Sequence, residues 1–344
     1  MRMSRLFGRT LRNAPSEAET TSHKLLLQSG MIQQVSSGVY SYLPLAWRSL
    51  KKIESILRKE MDKVGSQEIK LGLLQPRNLW QQSGRDDVYG PDMLRLKDRK
   101  DRSLILPPTN EELITLTVKN VVQSYKDLPV SVYQIQTKFR DEPRPRAGLI
   151  RVREFDMMDA YTFDTDEIGL NKNYELMITA FENSFKKCGL NTVLVDADSG
   201  AIGGKDSKEF ILLSPSGEDT IILCTQCDYA ANNEKATFDK HAEISKPSAN
   251  IEKINTPNIK TIESLESYLS IPKSEILKTV FYISDNKLVL AVTRGDLDIS
   301  EVKLKNHLRS KELRLANSNE VIENGFIPGF ASPVHIDSKK TPVI

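Results

Sequence analysis

Residues 131–163 read SVYQIQTKFRDEPRPRAGLIRVREFDMMDAYTF, and this stretch decides the fold. Its first part has period two: Tyr133, Ile135 and Phe139 alternate with Gln134, Gln136 and Lys138. Successive side chains of a strand point to opposite faces, so the spacing predicts a strand over 131–142 with Arg140 and Glu142 on one face. Pro143-Arg144-Pro145-Arg146-Ala147-Gly148 cannot continue it and predicts a loop. A second strand follows from about Ile150 to Phe163, and one of its faces carries Arg151, Arg153, Phe155, Met157, Asp159 and Tyr161. The economical reading is an antiparallel hairpin. A face that mixes charges with aromatic rings suits neither a core nor open water, and lines a site instead.

Working outward, Leu50, Ile53, Leu57, Met61 and Val64 recur at spacings of three and four and predict a helix over 45–64, stopped by Gly65. Before it, Gly38 to Leu43 is a strand-like run that Pro44 ends. A further helix starts near Thr109, with Ile114, Val118, Val121 and Tyr125 as its apolar stripe and Thr109 with Glu112 as a capping box. A helix over 168–188 ends at Gly189. Turns at Gly200–Gly204 and Ser214–Gly217 bracket a strand over Glu209–Leu213. The polar stretch 239–258, with two prolines, predicts a linker. Beyond it come a helix over Ile262–Leu269, a hairpin of Val280–Ile283 and Leu288–Val292 about Asp285-Asn286, and a short helix to Leu308 capped by Ser300. This second α+β module is still running at Ile344.

The chain has 344 residues, with 48 Lys+Arg against 46 Asp+Glu and three Cys. That length predicts two domains. No run of about 18 apolar residues exists, which excludes an apolar membrane-spanning helix. Three cysteines cannot build a disulfide framework and point to a reducing compartment. A net charge of +2 offers no global attraction to nucleic acid, so any RNA contact falls to local basic clusters. Arg2, Arg5, Arg9 and Arg12 open the chain as an exposed basic segment. Cys224-x-x-Cys227 is half a zinc site without a second half and reads as two ordinary thiols.

The ordered set Phe139-Arg140-Asp141-Glu142, the Arg/Pro-rich loop and Arg151-x-x-x-Phe155 resembles motif 2 of the class II aminoacyl-tRNA synthetases, and Gly38–Pro44 with its helix resembles motif 1. Pro107-Pro108-Thr109-Asn110-Glu111-Glu112, Arg151-Val152-Arg153-Glu154-Phe155, Asp159-Ala160-Tyr161 and Ser199-Gly200-Ala201-Ile202-Gly203-Gly204 are similar to the bacterial-type prolyl-tRNA synthetases. The resemblance implies an antiparallel β-sheet flanked by helices over 1–223 and a smaller α+β editing insertion over 224–344.

It also implies chemistry. An amino-acid carboxylate attacks the α-phosphorus of ATP and needs positioning and charge neutralisation rather than a base. A guanidinium, planar and permanently charged, fits that need. By resemblance Arg140 bridges the α-phosphate and the substrate carboxylate, Glu142 accepts from the adenine amino group, Phe155 stacks on the base, and Arg151 reaches the distal phosphates of Mg²⁺-ATP. Arg144 and Arg146 lie against the tRNA acceptor end. Thr109 and Glu111 take the imino group of L-proline, Met157 and Tyr161 line its ring pocket, and Asp159 assists the ammonium. Lys278 belongs to the editing pocket, which hydrolyses mischarged alanyl-tRNA because a smaller substrate fits the proline pocket.

Plainer roles stand beside these. An isolated Arg140-x-Glu142 pair reads as a surface salt bridge, Phe155, Met157 and Tyr161 as core, Thr109 as a helix cap, and Lys278 as a surface lysine at a helix end. Two departures from the family pattern, Asp156 and Met158, fall on the face opposite Phe155. A third, Lys208, stands where many relatives have histidine.

No Gly-rich motif 3 with its arginine is present, so the expectation is an N-terminal portion of a longer homodimeric, cytoplasmic enzyme, without membrane contact and inactive as this piece. The alternatives are a non-catalytic tRNA-binding paralogue, or a threonyl- or seryl-type synthetase.

Overall fold

The computed structural model describes residues 2–200, 203–204, 206–215, 217–237, 252–310, 312–334, 336–337 and 340–344. Ala201 and Ile202 of the glycine-rich turn, and 239–251 of the expected linker, lie outside them. The chain divides into two compact units, Met1–Leu194 with Ser199–Lys205 and Glu209–Glu218, and Val195–Asp198 with Asp206–Lys208 and Asp219–Ile344.

The first unit opens with helix α1 (Thr21–Gln28), capped by Thr20, and the antiparallel pair β1 (Ile32–Ser36) and β2 (Val39–Tyr42). Sequence reading found β2 but not β1, because only Ile32 of β1 is buried and its pattern lacks alternation. Pro44 then starts α2 (Pro44–Lys63), where a missing N–H costs nothing. The expected apolar stripe of α2 needs correction. Ile53 is exposed, whereas Glu54 and Glu60 are buried. Lys51 and Arg58 neutralise Glu54, and Lys63 and Lys187 neutralise Glu60.

Strands β3 (Gln67–Glu68) and β4 (Gln75–Pro76) lead to helices α3 (Arg77–Ser83) and α4 (Arg85–Tyr89), then to β5 (Leu94–Lys97) and β6 (Ser103–Leu106), which pair antiparallel. Gly84 lies between α3 and α4 at φ +75°, a left-handed conformation that lets one helix stop and the next begin within a single residue. Helix α5 spans Glu111–Val121, and here two expectations fail. Asn110, not Thr109, occupies the cap position, and no side chain caps the helix, while Glu112 is engaged by Arg85. Val121 and Tyr125 are exposed, leaving Ile114 as the buried apolar anchor.

The central hairpin is β7 (Val130–Phe139) with β8 (Glu154–Phe163), and β3 pairs parallel to β7 on its other edge. Ten residue pairs run from Val130↔Phe163 to Phe139↔Glu154. The rear face packs Tyr133, Met158 and Ala160 against Met61 of α2 and Ala180 of α6 (Glu167–Lys187). The front face carries Gln134, Gln136 and Lys138 opposite Asp159, Met157 and Phe155. The strand is shorter than expected: it stops at Phe139, so Arg140 and Glu142 lie past its end.

The second unit takes in the end of β9 (Thr192–Ala197) and the start of β10 (Ser207–Leu212), then β11 (Ile221–Leu223) and β12 (Ala230–Asn232). Helix α7 (Ile262–Leu269) is capped by Thr261. Strands β13 (Leu277–Ser284) and β14 (Lys287–Arg294) form a hairpin whose turn residues Asp285 and Asn286 both have positive φ, as a primed two-residue turn requires. Strand β15 (Leu313–Leu315) pairs with β13. Helix α8 (Glu301–Leu308) starts at the expected Ser300 cap, and α9 (Ser318–Glu323) is closed by an Asn317/Glu320 capping box.

Candidate functional site

The first site forms on the front face of the β7–β8 hairpin, between the loop 143–149 and the start of α5. Arg140 is held by its backbone: its N–H donates to Arg153 O at 3.0 Å, extending the hairpin one residue past the strand. Its guanidinium lies over the Phe155 ring at 5.3 Å, and its buried Nε has no hydrogen-bond partner. Buried polar atoms are almost always paired in folded proteins. A charged donor left over beside an aromatic face is a candidate contact for a ligand oxygen.

Glu142 stands beyond a tight turn in which its N–H meets Arg140 O at 2.7 Å, so the turn, not strand alternation, places it. Its carboxylate accepts from Arg144 N at 3.2 Å and faces Arg151 Nε at 3.9 Å. The loop is fixed to the β1–β2 turn, where Arg153 N donates to Gly38 O at 2.8 Å. Gly38 sits at φ +75°, and a Cβ there would come within 2.8 Å of the Pro145 ring. Arg146 and Glu218 form a two-bond pair, at 2.8 and 2.6 Å. Arg144 is exposed.

Deeper in, Asp159 is committed to four donors. Its Oδ1 accepts from Lys138 Nζ at 2.8 Å, and its Oδ2 from Gln134 Nε2 at 2.9 Å, Asn110 Nδ2 at 3.4 Å and the Tyr161 hydroxyl at 2.5 Å. Burial first, and then the Asp159 bond, hold the Tyr161 phenol far above its ordinary range, while the Thr109 hydroxyl beside it pulls the other way. Tyr161 is thus fixed as a neutral donor to Asp159. Asn110 is itself held by Gln75 Nε2 at 2.5 Å, and Gln75 by Trp80 Nε1 at 3.1 Å. Above this layer, Glu111 Oε2 accepts from Arg85 Nη1 at 3.1 Å.

The structure thus gathers Thr109, Asp159 and Tyr161 into one network and Arg140 with Phe155 into another on the same hairpin face. Met157, opposite Gln136 on that face, is half-buried. The two departures sit behind it: Asp156 accepts from Thr137 Oγ1 at 2.8 Å, and Met158 packs on the rear core. Sequence reading missed Gln75, Arg85, Asn110, Gln134 and Lys138. The period-two pattern already put Gln134, Gln136 and Lys138 on one face, and the inference applied to the mixed face of the second strand applied equally to them.

A second site lies within the second unit, a cavity of about 460 Å³ lined among others by Thr261, Lys278, Thr279, Gly295 and Gly329. Lys278 sits at the start of β13, as its second residue, not at a helix end, and its Nζ reaches Asp298 Oδ1 at 2.8 Å. Thr279 presents a buried Oγ1 without a partner. Gly295 is required by close approach: a Cβ would fall 2.8 Å from Lys273 O and 2.9 Å from the Ile262 side chain.

Cys224 and Cys227 are exposed free thiols, and the backbone N–H of Gln226, followed by the Cys227 thiol and N–H, lowers the Cys224 pKa. Among the described residues no group of three or more His, Cys, Asp or Glu is placed to hold a metal. None of the described helices is long and apolar enough to cross a membrane.

An antiparallel hairpin flanked by helices, with an arginine just past the end of one strand and a phenylalanine on the other, is the arrangement expected of the class II aminoacyl-tRNA synthetases. The tRNA synthetase class II core domain (G, H, P, S and T) matches residues 94–263, and the aminoacyl-tRNA editing domain matches 256–344. Within that class the chain belongs to the bacterial-type prolyl-tRNA synthetase family, in its core and editing segments.

The proline--tRNA ligase of Dehalococcoides mccartyi is 55% identical over 341 residues, 99% of this chain and 60% of that protein. That of Caldicellulosiruptor saccharolyticus is 48% identical over 336 residues, 97% of this chain and 59% of that protein. The chain thus spans about 60% of the length of the curated relatives it matches. Two solved structures share the fold. A Giardia lamblia prolyl-tRNA synthetase in complex with prolyl-adenylate covers 54% of this chain and 39% of its own, at 20% identity and TM-score 0.51. A Cryptosporidium parvum prolyl-tRNA synthetase complexed with halofuginone and AMPPNP covers 58% and 42%, at 17% identity and TM-score 0.51.

Proposed function

We propose that this chain provides the substrate-activating face and the editing module of a proline--tRNA ligase, which joins L-proline to the α-phosphate of ATP, transfers it to tRNA(Pro), and hydrolyses mischarged alanyl-tRNA(Pro). The observation that carries the reading is the Arg140 guanidinium, unpartnered at its buried Nε and lying over Phe155 on the same hairpin face as the Thr109–Tyr161–Asp159 network.

The proline carboxylate is the nucleophile and is already ionised, so the chain supplies geometry and charge. Arg140 binds the carboxylate and an α-phosphate oxygen, drawing the reacting atoms together and meeting the charge that builds as pyrophosphate leaves. The adenine lies on Phe155, with Glu142 accepting from its amino group and Arg151 meeting the distal phosphates. ATP enters as its Mg²⁺ complex, and the ion supplies charge neutralisation on the phosphates. No residue of this chain is assigned to hold it. Thr109 and Glu111 accept the two N–H groups of the secondary ammonium, with Met157 and Tyr161 against the ring. Asp159, its oxygens occupied by Lys138, Gln134, Asn110 and Tyr161, acts by fixing Tyr161.

Arg144 and Arg146 meet the acceptor end of the tRNA. Alanine is smaller than proline and enters the pocket, and a missing methylene is worth only about 1–3 kcal/mol of discrimination, so a hydrolytic second site is needed. The Lys278 cavity is that site. We place the catalytic core at 1–223, the editing module at 224–344, and the working protein in the cytoplasm as a homodimer joined through the β2–α2 segment.

Calorimetric titration of the chain with prolyl-, alanyl- and seryl-sulfamoyl adenosine tests the reading. Preference for the prolyl compound is expected, and equal affinity for all three would refute it.

A further inference from the structure

Behind Glu111 stands a side chain that the chemistry above does not use. Arg85 is the first residue of α4, turned back by the left-handed Gly84 so that it and Ser83 both face the start of α5. Its Nη1 donates to Glu111 Oε2 at 3.1 Å and to Glu112 Oε1 and Oε2 at 3.1 and 3.2 Å, and its Nη2 donates to the Tyr89 hydroxyl at 3.3 Å. The guanidinium carbon lies 5.3 Å from both the Trp80 and the Tyr89 ring centroids, and these two rings meet edge to face at 5.5 Å, so Arg85 rests against a corner of two aromatic rings.

We infer that Arg85 is the positioning residue for Glu111 and thereby sets selectivity for a secondary ammonium over an uncharged ring of the same shape. The inference rests on the assignment of Glu111 to proline made above.

Three features carry it. A glutamate at a helix start has several rotamers, and anchoring one oxygen to a guanidinium already held by Glu112 and the Tyr89 hydroxyl selects one of them before the substrate arrives. Among the described residues Glu111 Oε1 receives no hydrogen bond, so one acceptor stays open. Charge is also left over. The Glu112 side chain is only 4% exposed, and Ser83 Oγ donates to it at 2.8 Å. Two carboxylates therefore share one guanidinium, and the uncompensated negative charge falls to Glu111, whose side chain is 35% exposed. An ammonium completes that balance, whereas a neutral ring does not. Lysine lacks the planar fork whose one nitrogen meets both carboxylates while the other holds the Tyr89 hydroxyl, and it lacks the flat face that rests on the two rings.

The test is calorimetric binding of three probes to the 344-residue chain: prolyl-sulfamoyl adenosine, the same compound carrying a tetrahydrofuran-2-carbonyl group, and AMP. Wild type should prefer the prolyl compound. Arg85→Met should cut the prolyl-to-tetrahydrofuroyl preference about tenfold, less than a fully buried charge partner costs because the Glu111 side chain is 35% exposed, and leave AMP affinity unchanged. Arg85→Lys, which keeps the charge, should also lose preference, and it serves if the methionine variant does not fold. An unchanged preference in a folded variant, or equal losses for all three probes, would overturn the inference. Wild type without preference between the two ring compounds would instead remove Glu111 from proline recognition, a failure visible before any variant is made.

Discussion

Lys138 Nζ lies 2.8 Å from Asp159 Oδ1 with the two side chains 0% and 8% exposed, so a complete ion pair is buried at the base of the candidate proline pocket. Such a pair offers little net stability, but breaking it is expensive, because the remaining charge stays buried without compensation. Lys138→Met should therefore lower unfolding free energy by ~3–5 kcal/mol in urea titration. Lys138→Met with Asp159→Leu should recover part of the loss. A single variant within about 0.5 kcal/mol of wild type would show that the pair does not hold the site.

The loop that carries Arg144 and Arg146 depends on glycine at 38. Gly38→Ala places a methyl against the Pro145 ring at a φ that L residues rarely adopt. The expected result is a loss of ~1–3 kcal/mol in denaturant unfolding, with faster limited proteolysis of 143–149.

Phe155→Leu keeps an apolar side chain and removes the stacking surface. Base–aromatic stacking is worth ~1–3 kcal/mol, so affinity for AMPPNP should fall roughly fivefold or more with melting temperature little changed. Unchanged AMPPNP affinity would return Phe155 to an ordinary packing role.

In the second unit, Arg314 and then the Asn317 N–H hold the Glu320 carboxyl down at about 2, against an ordinary 4.5. A depressed folded-state value stabilises the fold above the ordinary value, and that contribution fades as pH falls from about 4.5 toward about 2. Acid titration by circular dichroism should show wild type losing stability across that window and Glu320→Gln losing less of it. Identical acid profiles would contradict the pairing.

Much of this architecture was legible before any coordinates. The hairpin, its front face, helix Ile262–Leu269, the Asp285-Asn286 turn and the Ser300 cap all follow from local signals: period two, amphipathic spacing, and residues that tolerate positive φ or accept at a helix start. What escaped was non-local. Glu54 and Glu60 break the apolar stripe of α2 because cations from its own helix and from α6 neutralise them. Thr109 matched a capping box, yet Asn110 takes the cap position and Arg85 claims Glu112. Arg85 itself carries no sequence signal, because its role arises only where α4 meets α5.

The central claim is that Arg140 joins the amino-acid carboxylate to the nucleotide phosphate. Calorimetric titration with prolyl-sulfamoyl adenosine compares wild type with Arg140→Ala most directly. The account predicts a loss of about tenfold or more for the variant, the cost of one charge-assisted contact to each half of the ligand. Equal affinity in the two proteins would contradict it.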